Sequence, residues 1–371
     1  MKLKVYSDKA YIPKGSSYVP MLYPFWGQTS FEKDPTKELQ SGRFNCYTKT
    51  GQDFLELTPL EEAEVAILPI AWSGVKKNKD GRDLATQLAQ KATECGKKIV
   101  VFVTGGEDVH VWLDNSLVFD MALYRSRQKY NAFAMPAFVE DLIEKHFSGQ
   151  LIIRQKSAKP TIGFCGYAPP LGLPLGLKKI KESIRLFANI AEINRLFPLI
   201  KNSQIGHSYR ARSLNPLLKN SSVHTNFLLR DQVSFGGPWG GLVPGGRVDR
   251  AEQYRKEFIS NIVDSDYVLC VRGYDNFSIR LYETLCCGRI PVFLDTDCVL
   301  PYDFAVNWKD YCVWVNQNEI SKVAEKVIDF HNKLSSQDFI DFQYKCREFW
   351  LNWLSPQGFF RNFYRHLVEV K

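Results

Sequence analysis

Eight short runs of apolar, often β-branched residues recur along the chain: KLKVYS (2–7), EVAILPI (64–70), KKIVVFV (97–103), LIIRQ (151–155), TIGFCG (161–166), YVLCV (267–271), IPVFL (290–294) and YCVWV (311–315). Several are apolar at successive positions rather than at alternate ones. A strand of that kind has both faces covered, as in a parallel sheet flanked by helices. Stretches of helical period lie between the runs, at 82–95 and at 319–334, where Ile320, Val323, Val327 and Phe330 share one side. Strands alternating with helices predict an α/β chain built on parallel sheets.

A chain of 371 residues is long for one such sheet and comfortable for two, each with its own core. The polar, basic segment RQKSAKP (154–160), closed by Pro160 and followed by a fresh apolar run, marks the boundary. The expected division is a Rossmann-like domain over 1–153, a second over 154–346, and a C-terminal helical segment over 347–371. In doubly wound sheets ligands bind beyond the carboxyl ends of the strands, so the turns that follow strands are where functional residues belong.

Composition excludes several classes. With 45% hydrophobic and 24% charged residues the chain reads as globular rather than disordered. It has no apolar run of about 18 residues, so no transmembrane helix is expected. Met1 leads directly into KLKVYSD with no apolar core, so no signal peptide is expected either. The nine cysteines form no CxxC pair and mostly sit in apolar runs, which predicts free buried thiols and a cytoplasmic protein. Residues 201–256 carry nine Lys or Arg against three acids, within a chain of net charge +8. That excess suits an anionic ligand or a solvated basic face; no recognised nucleic-acid motif accompanies it, so nucleic acid is not an expected partner.

The densest signal is YVLCVRGYDNFSIRLYETLCCGRIPVFLD, 267–295. A buried strand runs into Arg272-Gly273, a polar turn, a short helix ended by Gly288, and a second buried strand holding Pro291. Asn276 or Ser278 is placed to cap the helix, and Gly288 to stop it. A turn at the carboxyl end of a strand offers backbone N–H groups and a positive helix end to a phosphate, and Arg272 and Arg280 add charge-assisted contacts. Arg280 and Glu283 are three apart and share a helix face. The pair reads either as a phosphate contact beside an acceptor of sugar hydroxyls, or as a surface ion pair of negligible stability value.

This string resembles the exostosin-like glycosyltransferases, family 47. Members carry a strand, RG, a polar loop, S-x-R-x-x-E, small residues, G-x-x-P-V and a downstream LP. Here these are Arg272-Gly273, Ser278, Arg280, Glu283, Gly288, Pro291-Val292 and Leu300-Pro301. LEEAEVAILPIAW (60–72) and KPTIGFCG (159–166) are similar to further family elements, and DNFSIRLYE with GRIPVFLDTD has a bacterial cast. Animal members are membrane-anchored, and this chain departs from them there.

The resemblance implies a GT-B fold: two Rossmann-like domains facing a central cleft. It implies an inverting, metal-independent transfer of a sugar from a nucleotide diphosphate sugar, generally UDP-linked, to a glycan or glycolipid hydroxyl in polysaccharide biosynthesis. No cofactor is expected beyond that co-substrate. The donor-binding candidates are Arg272, Gly273, Asn276, Ser278, Arg280 and Glu283, with Arg210 and Arg212 of GHSYRARS as helpers. The general base is sought after VFV (101–103), where Asp108 comes first, Glu107 second, and His110 either orients the acceptor or acts as the base. Each of these also reads as a solvated turn residue. Asp264-Ser265-Asp266 and Asp295-Thr296-Asp297 fit the weak DxD metal pattern, but only the second lies at a strand's carboxyl end, and no metal site is expected. The Gly-rich 235–247 loop with Trp239 reads as a sugar-stacking flap or a plain connection. The aromatic, basic tail 347–371 is expected to cross back onto the first half, with contact at a membrane surface as the other reading. A non-catalytic glycan- or nucleotide-sugar-binding protein on the same fold is the competing function.

Overall fold

The computed structural model describes residues 2–33, 41–77, 79–104, 110–168, 203–230 and 248–369. The chain folds as two units, Met1–Asp141 with Asp297–Val306 and Trp350–Lys371, and Leu142–Thr296 with Asn307–Phe349.

The first unit holds six strands: β1 (Leu3–Tyr6), β2 (Leu55–Leu57), β3 (Val65–Ile67), β4 (Lys98–Val103), β5 (Ser116–Asp120) and β6 (Ala132–Ala134). They pair in the order β2-β1-β3-β4-β5-β6, every pair parallel. The helix Lys79–Glu94 covers one face, burying Ala85, Leu88 and Ala92 together with Ile99, Val101 and Trp72.

The second unit holds β7 (Thr161–Tyr167), β8 (His224–Arg230), β9 (Tyr267–Cys270), β10 (Ile290–Asp295) and β11 (Val313–Asn316). Their order is β11-β10-β9-β7-β8, again all parallel. Ile162, Phe164, Leu269, Val292 and Val313 meet Leu214, Leu217, Val323 and Val327 from the helices Ser203–Lys219 and Val323–Lys333 in one core. Both sheets are parallel and doubly wound, as the α/β expectation required of each half. In each, the first strand lies between the second and the third, so the order of winding reverses there. That reversal opens a crevice at the carboxyl ends of the two central strands. In the second unit these are β7 and β9.

Three expectations about organisation are corrected. The boundary falls at Asp141/Leu142 rather than at 153/154. The reason is that 142–157 is bound to the second unit: the Leu142 N–H donates to Cys286 Sγ at 3.4 Å, and Arg154 Nε pairs with Asp266 at 2.5 Å. LIIRQ is not a strand, because side chains take its backbone groups: Arg289 Nη2 donates to the Ile152 carbonyl at 2.7 Å, and the Arg154 N–H donates to Gln343 Oε1 at 2.9 Å. The tail 347–371 does join the first unit, as expected of a crossover, but not as one helix. The helix Ser336–Phe349 stays with the second unit, and a π-turn at Trp350–Leu354 leads to Pro356–Arg361 and Tyr364–Glu369 in the first. There Phe359, Phe360 and Phe363 are buried among Phe102, Phe119 and Phe138, so these tail aromatics lie in the first unit's core. Among the described residues no helix is long and apolar enough to cross a membrane. All nine cysteines are free thiols, seven of them buried.

Candidate functional site

The donor candidates gather at the β7/β9 crevice. After β9 the chain turns through 272–278 into the helix Ile279–Cys286. Gly288, at φ 62°, ends that helix as expected. Ser278 occupies the N-cap with extended backbone, φ −127° and ψ 112°, but its hydroxyl makes no capping bond. Asn276 lies two positions before that N-cap. Its side-chain oxygen accepts from Arg272 Nη1 at 3.0 Å and from the Thr296 hydroxyl at 2.8 Å, while Arg272 Nη2 donates to the Tyr274 carbonyl at 3.2 Å. Arg272 and Asn276 thus brace the turn.

Arg280 is 7% exposed. Its Nη2 donates to the Cys165 carbonyl on β7, and its guanidinium lies over the rings of Phe164 at 4.5 Å and Phe258 at 5.1 Å. Its Nε is buried with no hydrogen-bond partner among the described residues. Burial pushes its pKa down.

Arg210, on the helix Ser203–Lys219, reaches the same crevice. Its Nη1 donates to the Tyr167 carbonyl at 3.2 Å, and its Nε likewise lacks a partner among the described residues. Burial, with Arg280 nearby, pushes its pKa down to about 9. The helix can come this close because Gly206 and Gly273 lack side chains: a Cβ on Gly206 would lie 1.9 Å from the Gly273 carbonyl oxygen, and one on Gly273 would lie 3.4 Å from Arg210 Nη2. Arg212, two positions on and therefore on another helix face, lies over the Tyr209 ring at 5.9 Å instead. It is not part of the cluster.

Glu283 is not half of a surface ion pair with Arg280. It is 0% exposed, and its Oε1 takes Arg255 Nη1 at 2.5 Å. Arg255 comes from the helix Val248–Val263, a partner that helix period within 279–286 could not reveal. His207, which no local pattern marks, lies edge-on to Tyr167 at 4.6 Å between ring centroids. Both residues were in plain view inside the basic segment, but nothing local in the sequence ties either one to the crevice.

Glu107 and Asp108, like the 235–247 loop with Trp239, lie outside the described residues. His110 is exposed, beyond the carboxyl end of β4, and Trp112, 39% exposed, leans on buried Trp72 at 4.3 Å. One member of each acidic pair is committed elsewhere. Asp266 is bound by Arg154 and the Thr161 N–H, and Asp297 by the Ser126 N–H at 3.1 Å and the Ser126 hydroxyl. Among the described residues no group of three or more His, Cys, Asp or Glu has metal-holding geometry.

The site is therefore a crevice at the winding reversal of a parallel sheet, with two guanidiniums that repel each other. Each is desolvated and keeps a donor without a partner among the described residues. Such a place is suited to an anion with several oxygens.

Residues 244–329 match the Exostosin GT47 domain. Exostosin-1 of Drosophila melanogaster is 30% identical over 79 residues, 21% of this chain and 10% of that protein. A protein of Arabidopsis thaliana described as a probable glycosyltransferase is 30% identical over 88 residues, 24% of this chain and 18% of that one. The matched stretches thus span less than a fifth of these curated relatives. A glycosyltransferase structure from Rickettsia africae ESF-5 aligns over 93% of this chain and 84% of its own, at 11% identity and a TM-score of 0.35. The second unit is exostosin-like over the segment that carries Arg255, Arg272, Arg280 and Glu283.

Proposed function

We propose that this chain, exostosin-like in its second unit, is a glycosyltransferase that moves a hexosyl or pentosyl group, with inversion, from a UDP-linked sugar to a hydroxyl of a glycan or glycolipid in polysaccharide assembly. The observation that carries the reading is the pair Arg210 and Arg280, desolvated side by side at the β7/β9 crevice with N–H donors unspent. In the transfer, the bond from the anomeric carbon to the diphosphate oxygen breaks, and the leaving diphosphate gains a negative charge. The two guanidiniums meet that charge in place of a metal ion, and preorganised cations of this kind are worth most where water is excluded. Arg272 and Asn276 hold the turn against which the diphosphate rests. The acceptor oxygen forms the new bond, and its proton passes to a base in the 107–110 turn, Asp108 first, with Glu107 and His110 as the other candidates. Nine free thiols fit a reducing, cytoplasmic setting.

The test is a thermal-shift and calorimetric screen against UDP, GDP, CMP and UDP-sugars, with and without EDTA. Stabilisation by UDP compounds that EDTA leaves intact and Arg280→Ala abolishes is the expected result. No shift with any nucleotide would sink the reading.

A further inference from the structure

His207 belongs to none of the family motifs, yet it stands in the same crevice. It precedes Arg210 by one helical turn on the same face, with its ring edge-on to Tyr167 at 4.6 Å between centroids. Gly206 beside it is pressed against the Gly273 carbonyl. The imidazole is thus held between the end of β7 and the turn after β9, half-buried. Among the described residues the groups that face it are the Tyr167 phenol from β7 and, on its own helix, Arg210, whose charge acts on it. Burial first and Arg210 second push its pKa down to about 4, so the ring is neutral in the empty site at pH 7.

We propose that His207 is a third cationic ligand of the donor diphosphate, taking up a proton as the diphosphate binds beside Arg210. The inference rests on the donor-site reading above. In the empty site a protonated imidazole would face the like charge of Arg210. A bound nucleotide sugar brings two negative charges onto that guanidinium and reverses the local field. One unit charge at about 4–5 Å, in an effective dielectric of about 20, shifts a protonation equilibrium by roughly two to three orders of magnitude. Two such charges carry the titration of His207 from acid pH to neutral. The proton comes from solvent as the donor binds and returns to solvent when the diphosphate leaves. Departure of the sugar adds a further negative charge to the diphosphate. The imidazolium therefore binds the leaving group more tightly than the donor, which favours bond breaking.

The experiment is calorimetric titration of the full chain with UDP-glucose and UDP-N-acetylglucosamine between pH 6 and 8, in buffers of different ionisation enthalpy. Their diphosphates are diesters and hold no proton in that range. We expect uptake approaching one proton per ligand at pH 6, with affinity rising up to about tenfold from pH 7 to pH 6. His207→Asn should abolish both effects. A merely structural histidine would lower affinity equally at every pH and leave no proton exchange to lose. Binding without proton uptake, or uptake that persists in His207→Asn, overturns the inference and leaves the donor site standing. Failure of both UDP-sugars to bind at any pH overturns the donor-site reading itself.

Discussion

Replacing Arg210 with methionine should make the protein more stable and a worse binder at once. Burial first, and Arg280 second, bring Arg210 well below the ordinary arginine value, to about 9. Holding the charge there costs at most about 5 kcal/mol. The side chain keeps some solvent contact, so the real cost is a fraction of that, roughly 2–4 kcal/mol. Methionine retains the unbranched stem and removes the charge. The bond to the Tyr167 carbonyl at 3.2 Å is lost, taking back about 1 kcal/mol. A net gain of about 2 kcal/mol raises the melting temperature of a unit of this size by about 4–8 °C. Loss of a charge-assisted contact to phosphate lowers affinity for UDP-sugars by roughly 10- to 150-fold. Differential scanning calorimetry and titration calorimetry on the same sample read both numbers. A lower melting temperature with unchanged affinity would refute the argument, since Arg210 would then be a brace for β7 and not a ligand held at the expense of stability.

Glu283→Gln should destabilise the second unit by about 3–5 kcal/mol in urea melts, because it leaves the Arg255 guanidinium buried against a neutral amide; Arg255→Met with Glu283→Leu should recover most of the loss. Arg212→Ala should leave UDP-sugar affinity within about twofold of wild type, as a surface change off the cluster; a loss like that of an Arg210 variant would place it in the site after all. His366 is 0% exposed, ringed by Phe119, Phe133, Tyr302 and Phe359, and burial pushes its pKa down to about 3. The unfolded chain, with His near 6.5, binds the proton first, so this contribution is whole above pH 6.5 and is lost as pH falls toward 3. About 2 kcal/mol should go between pH 7 and pH 5, and denaturant melts of His366→Phe should show that much less pH dependence.

Runs such as 97–103 and 290–294 announce themselves because strands covered on both faces need no alternation. The strands that escaped notice are the three-residue β2 and β6, the mixed edge strand β8 with its exposed Leu228 and Leu229, and β5. LIIRQ has the composition of a strand and is not one, because composition does not say whether a backbone group will meet another strand or the side chains of Arg289 and Gln343. The site divides the same way. The strand, turn, helix and Gly288 of 267–288 are local and came through in the sequence. The i,i+3 relation of Arg280 and Glu283 says only that they share a face, and tertiary partners separate their roles. Arg255, 28 positions away, neutralises the glutamate, while the Cys165 carbonyl, 115 positions away, orients the arginine. The separation is itself informative. A chain selected for stability alone would pair Arg280 and Arg210 with carboxylates or replace them with apolar residues, since a desolvated like-charge pair is expensive. Glu283 lies close enough to act on Arg280, yet it is the Arg255 guanidinium that it binds at 2.5 Å. Among the described residues no carboxylate pairs with Arg210 or Arg280 at the winding reversal, and that charge is what the proposed diphosphate would meet.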